Sequence, residues 1–272
     1  MKTICLSLAF ILGLFACSSP GTKTKKQDVL IKDTNASTVA NTSEEPVDSL
    51  TPYPEDDLTV PPYGLDTVKA LIDKIKFVDD PDGGEMGTKA LDANLYVGLS
   101  FNEKFTYHMI HAESYSQNCA ILPVRTDEAN RIYGHLPHIF GDFSWSERQL
   151  KFFTENRDAV EQLMKPLIQI NKKIGGNFRE AIVEMNAKEL IPYLIEFYNK
   201  EKKDHYVLTV LMLLMKENKY PEFMSSTSYK KLYDFKDEQY ENEYGAYLVY
   251  NKANEALIIQ RATNFYNGLQ AK

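Results

Sequence analysis

Cysteine is scarce in this chain: Cys5, Cys17 and Cys119 are the only three in 272 residues. Cys5 lies in the apolar stretch that opens the sequence, so too few thiols remain in the body for the disulfide framework that staples small secreted domains. Stability has to come from apolar packing. No apolar run approaches the ~20 residues that a membrane-spanning helix needs, and the longest, Leu6 to Phe15, is far shorter. Basic excess is missing as well. Lys and Arg number 31 against 38 Asp and Glu, a formal charge of −7, which excludes the positive surface that a nucleic acid demands. No segment recurs at a fixed period, against a regular repeat array. The acidic turn Asp79-Asp80-Pro81-Asp82-Gly83-Gly84 is no EF-hand loop, because Val78 and Lys89 stand where that loop needs acids.

What is present begins with a secretion signal over residues 1–16. Lys2 is its only charge, an apolar stretch follows, and the small Ala16 precedes the cut. Leu14-Phe15-Ala16-Cys17 resembles the lipobox of bacterial lipoproteins. The resemblance implies a diacylglyceryl thioether on Cys17, which becomes the new N-terminus. Two or three acyl chains hold a protein stably, since each buried methylene adds ~0.8 kcal/mol. In that family an Asp after the cysteine favours inner-membrane retention, and here Ser18 follows. The resemblance therefore implies the outer membrane, on the periplasmic side. Acylation would leave Cys119 as the one free thiol, read as a small buried hydrophobe.

Residues 17–64 are Ser, Thr, Pro, Asn and charge with few large apolar side chains, too little to offset the entropy of ordering. They read as a lipidated, disordered tether. As a flexible coil it spans roughly 40 Å. Lys23, Lys25, Lys26 and Lys32 lie at its lipid end and Glu44, Glu45, Asp48, Glu55, Asp56 and Asp57 at the other.

From residue 65 to 272 the periodicity is helical: a mainly α domain of stacked hairpins in a repeat-like arrangement, with 65–143 and 144–272 as possible subdomains. A first helix after Asp66 places Val68, Leu71, Ile72, Ile75 and Val78 on one face. Residues 90–99 fit a strand or a helix. Ser100 to Glu103 and Ser144 to Glu147 read as capping boxes. The second opens a helical stretch that carries Val160, Leu163, Met164, Leu167 and Ile168 and stops at Gly175-Gly176. Arg179 to Phe197 resembles one HEAT-like unit, a helix, a turn near Asn186 and a second helix with Pro192 early in it. Asp204 caps a helix from Tyr206 to Met215 that is apolar on all sides, which marks the centre of the core. Two further helices are expected at 240–250 and 254–266, the last ending at Gly268.

Three constellations are candidates for chemistry. Glu113, in Ile110-His111-Ala112-Glu113-Ser114-Tyr115, sits in a segment that resembles the Glu-Ser element of lytic transglycosylases, which implies a general acid for glycosidic cleavage of peptidoglycan; the later Gly-Leu-Met-Gln type segment of that family is missing. His108 with His111, and His135 with His138, have a three-residue spacing that offers paired nitrogens to a metal such as zinc. Tyr229, Tyr233, Tyr240, Tyr244, Tyr247 and Tyr250 either pack between helices or show a sticky face, with Tyr240, Tyr244 and Tyr247 sharing one side of a helix. The reading that best joins these features is a lipid-anchored cell-envelope protein without a cofactor, acting as a non-catalytic binding or scaffold module for an envelope protein or glycan. The alternatives are the Glu113 enzyme and a zinc protein.

Overall fold

The computed structural model describes residues 57–79, 87–116, 128–234 and 245–271. The chain is mainly α, with eleven α-helices and four short strands among these residues. Cys17, Cys119, Tyr240, Tyr244, the acidic turn from Asp80 on and the tether up to residue 56 lie outside them. Residues 57–64, counted with the tether by composition, belong to the fold. Asp57 and Thr59 are buried, and the side chain of Asn177 holds Thr59 at both backbone groups, 3.0 Å from its N–H and 2.8 Å from its carbonyl.

Helix α1 (Leu65–Ile72) starts from Gly64, not from Asp66, because the chain turns there through φ 61°. A Cβ at Gly64 would also lie 2.5 Å from the Glu103 side chain. α1 ends before Ile75 and Val78. Val78 instead forms an antiparallel bridge with Thr88 and is 60% exposed. Residues 93–98 resolve as helix α2 (Ala93–Gly98), since Asp92 accepts from the N–H groups of Asn94 and Leu95. Helix α3 (Phe101–Ile110) carries the expected Ser100–Glu103 capping box. Two small antiparallel ribbons follow: β1 (Ser114–Tyr115) pairs with β3 (Phe143–Ser144), and β2 (Arg131–Tyr133) with β4 (Tyr247–Val249).

The second capping box is displaced by two residues from its expected place. Ser146 and Gln149 cap helix α4 (Glu147–Glu155), while Ser144 is taken by the β1–β3 ladder. Asn156 alone separates α4 from α5 (Arg157–Asn171). Gly175-Gly176 does not merely stop a helix. A Cβ at Gly175 would sit 2.5 Å from the Thr59 backbone nitrogen, and one at Gly176 would sit 2.5 Å from Ile139. These glycines let residues 57–59 lie against the start of helix α6 (Gly176–Glu184). The turn after α6 runs through Asn186 at φ 48° and leads to α7 (Ile191–Glu201), with Pro192 in its first turn where a missing N–H costs nothing.

Helix α8 (Tyr206–Glu217) is the centre. Each residue from Tyr206 to Met215 is buried, and the helix packs against α6, α7, β2, α9 (Pro221–Met224) and α11 (Lys252–Gln270). Each fully buried aliphatic side chain on it contributes about 1.5–3 kcal/mol. α10 (Thr227–Tyr233) packs against α9 and β4. The main core also takes in Phe105, Met109 and Ile132, so apolar packing is continuous across residue 143. A smaller cluster gathers Val68, Leu91, Leu99 and Tyr107 beneath α1. Two C-terminal expectations are corrected. Tyr247 belongs to a strand, because its backbone pairs with Tyr133. Gly268 lies inside α11, whose C-cap is Ala271.

Candidate functional site

Glu113 is the hub of a closed network. Its carboxylate is 2% exposed and pairs with Arg148. Its oxygens also accept from Tyr107 Oη at 2.7 Å and from Ser146 Oγ. The Tyr107 hydroxyl in turn accepts from the Leu91 N–H at 3.1 Å, and Arg148 Nη2 donates to the Leu91 carbonyl at 3.1 Å. The carboxylate's acceptor positions are thus occupied by α3, by the N-terminus of α4 and by Arg148. Glu113 thereby ties these elements together.

His108 is locked beside it. Gln149 Oε1 accepts from the backbone N–H groups of Glu113 and Ser146 at 3.0 and 3.1 Å, so its Nε2 is the donor, to the His111 carbonyl at 2.8 Å and to His108 Nδ1 at 3.0 Å. With Nδ1 accepting, Nε2 carries the ring proton and donates to Tyr96 Oη at 3.0 Å. Burial, with Arg148 adding to it, holds the ring's pKa well below the ordinary range. His111 Nε2 donates to the Lys89 carbonyl at 2.6 Å. His135 stands edge-on to the Tyr233 ring, centroids 5.4 Å apart, and burial pushes His138 down. Among the described residues no three His, Cys, Asp or Glu side chains are grouped to hold a metal ion. Both nitrogens of His108 are engaged within the protein, by Gln149 and Tyr96.

The described tyrosines of the C-terminal part pack. Tyr229 and Tyr233 pack against Phe223 with centroids 5.7 and 6.3 Å away, and the Tyr233 hydroxyl donates to the Gly134 carbonyl at 2.7 Å. Tyr247 carries the Arg131 guanidinium over its ring at 4.3 Å. Tyr250 stacks on His205 at 3.8 Å.

Among the described residues a cleft of about 650 Å³ lies elsewhere, where the C-terminal ends of α5 and α7 meet β2 and the start of α8. That volume is in the range of small-molecule sites. Its floor is Arg179, 2% exposed, whose guanidinium pairs with Asp57 and, at 3.3 Å, with Asp204. The same guanidinium lies 4.5 Å over the Tyr206 ring, and Tyr206 stacks on Tyr133 at 5.9 Å with planes 15° apart. Burial pushes the Asp204 carboxyl up, against the opposing pull of Arg179, and one Asp204 oxygen and Arg179 Nε have no hydrogen-bond partner among the described residues. His205 Nδ1 donates to the Glu128 carbonyl at 3.2 Å, and Tyr206 Oη to the Glu128 carboxylate at 3.1 Å.

The rim is made of lysines. Lys172 and Lys202 are the C-caps of α5 and α7, both in left-handed backbone at φ 51° and 53°. Lys173 pairs with Asp57 at 2.8 Å, and Lys202 pairs with Glu255, which raises its pKa. None of the candidate site residues named from the sequence lines this cleft. The local signals that point to it are the doublets Lys172-Lys173 and Lys202-Lys203, each directly after a helix.

No family model matches the chain, and neither a curated protein nor a solved structure matches it. Among the described residues no helix is long and apolar enough to cross a membrane.

Proposed function

We propose that this chain is a lipid-anchored cell-envelope protein, held through Cys17 at the outer membrane on its periplasmic side, that acts as a non-catalytic binding module for an envelope ligand. The observation that carries the reading is the cleft: a concave site of small-molecule size whose floor charges are fixed by partners and whose walls combine aromatic rings with lysines. Against a glycan-cleaving reading stands the closure of Glu113, whose oxygens are filled from within the protein.

The test uses the full chain purified in detergent. Cell-wall and outer-membrane fractions are expected to raise its melting temperature, and Phe197→Ala, which strips an apolar wall of the cleft, is expected to abolish the rise. Cys17→Ser is expected to remove the covalent lipid. Release of soluble glycan fragments from cell-wall sacculi by the full chain, lost in Glu113→Gln, would replace binding with catalysis.

A further inference from the structure

The strap that opens the domain is folded inside out. Of residues 57–60, the polar Asp57 and Thr59 are 3% and 4% exposed, while Leu58 is partly buried and Val60 is 44% exposed. Hydrophobic burial contributes little to holding such a segment, because its apolar side chains are the ones left outside. Its place is set by what its polar side chains reach. Thr59 is held by Asn177 and accepts from the Gly175 N–H at 3.2 Å, and Asp57 reaches the cleft.

There the Asp57 carboxylate is received oxygen by oxygen. Lys173 Nζ lies 2.8 Å from Oδ1 and Arg179 pairs with Oδ2, beside the first residue of α6, where a Cβ on Gly176 would come within 3.1 Å of Oδ2. Two cations and the positive end of a helix are the parts of a carboxylate-binding site. Asp57, Lys173 and Arg179 all line the cleft. Arg179 is 2% exposed and its Nε has no hydrogen-bond partner among the described residues, so the guanidinium keeps donor capacity that the strap does not use. Residues 57–59 therefore lie on the domain as a bound peptide lies on its receptor, with one acidic side chain filling a pocket.

We infer that Asp57 occupies in cis the binding site of a carboxylate-bearing ligand, so that the strap covers Lys173 and Arg179 until a ligand carboxylate takes its place. The exchange is one carboxylate for another, and it calls for no spare cation. A group tethered this close acts at an effective concentration of about millimolar or more, so the closed strap sets a threshold that a free carboxylate has to exceed. This rests on the binding reading above and names both the chemistry of its ligand and the device that regulates it.

The experiment is a calorimetric titration of the full chain in detergent with glucuronate, with glucose as the neutral probe, beside the same titration of Asp57→Asn. Asparagine keeps the shape and removes the charge, so Asp57→Asn is expected to bind glucuronate about tenfold or more tightly than the parent chain, and neither is expected to bind glucose. Asp57→Glu keeps the carboxylate and should show no gain. Adding Lys173→Gln to Asp57→Asn should take the gain away. A second measurement needs no variant and decides alone if Asp57→Asn does not fold: glucuronate should speed chymotryptic cleavage after Tyr63 in the parent chain, as the strap is displaced, and glucose should not. No gain in Asp57→Asn, a gain that survives Lys173→Gln, glucose bound as tightly as glucuronate, or cleavage that glucuronate leaves unchanged or slows would each overturn the inference. If it falls while envelope fractions still stabilise the full chain in a Phe197-dependent way, the binding reading survives and the carboxylate is lost. If the gain is found while that stabilisation is absent, the carboxylate site stands and the envelope ligand is lost.

Discussion

Replacing Asn177 by Ala is expected to unfasten the start of the domain. The Asn177 side chain is fully buried and serves four backbone groups. Its oxygen accepts from Thr59 N–H and Phe178 N–H, each at 3.0 Å, and its nitrogen donates to the Thr59 and Met109 carbonyls, each at 2.8 Å. The Met109 carbonyl belongs to the last turn of α3, where intrahelical donors have run out. Alanine leaves the Thr59 and Phe178 N–H groups and both carbonyls without these partners. A buried polar group left unsatisfied costs about 1–3 kcal/mol; with partial relaxation the total comes to ~3–5 kcal/mol, a large share of a typical 5–15 kcal/mol stability. At about 2–4 °C per kcal/mol for a domain of this size, the melting temperature should fall by roughly 10 °C. Asn177→Asp keeps the shape but turns a donor into an acceptor facing two carbonyls, and should be at least as costly. Two assays are read together on the full chain: urea unfolding, and the rate of chymotryptic cleavage after Tyr63, which should rise as residues 57–64 peel away. A loss under about 1 kcal/mol with cleavage unchanged would refute the claim that this clamp fastens the strap.

Leu211 is completely buried in α8, so Leu211→Ala should cost ~2–5 kcal/mol in denaturant unfolding; a few tenths would mean that the core is centred elsewhere. Glu113→Ala strands Arg148 and the Tyr107 and Ser146 hydroxyls, and should destabilise by about 3–5 kcal/mol in the same urea assay. Acid should weaken the fold through His108 and His111, whose folded pKa values burial lowers from 6.5. Above that value both rings are neutral in either state and their contribution is complete. Below it the unfolded chain takes up protons that the folded one refuses, so stability falls with pH at up to about 1.4 kcal/mol per pH unit per ring. A urea series across pH 7 to 5 checks this, and the His108 share should vanish in His108→Gln.

Much of the fold was legible because it is written in local signals. The Ser100–Glu103 box, the face of α5 and the all-round apolar helix from Tyr206 to Met215 rest on spacing and capping alone, and each is found at or next to its expected place. Errors arose where a distant partner decided. Tyr247 has the neighbours of a helix but the hydrogen bonds of a strand, supplied by residues more than a hundred positions earlier. Ser144 has the spacing of a cap, yet Ser114 claims its backbone and the cap passes to Ser146. Residues 57–64 lack the apolar content of a folded segment and are held instead by polar clamps: Asn177, Arg179 on Asp57, and Thr106 on the Tyr63 carbonyl.

The cleft was illegible for a further reason, which concerns how charge is read. Along a sequence, lysines after a helix are what the macrodipole already favours, so Lys172-Lys173 and Lys202-Lys203 carry no surplus meaning one doublet at a time. Their common place shows only when two helix ends are brought to the same hollow, over an arginine that pairs with acids from residue 57 and residue 204. Glu113 errs in the opposite direction. Its neighbours in sequence resemble those of a catalytic acid, but Arg148 and Ser146 arrive from α4 and its cap to fill it. A carboxylate that accepts from several elements at once holds those elements together. The rim lysines are themselves tied inside the protein, Lys173 to Asp57 and Lys202 to Glu255, so it is the meeting of two helix ends at one hollow that sets them apart.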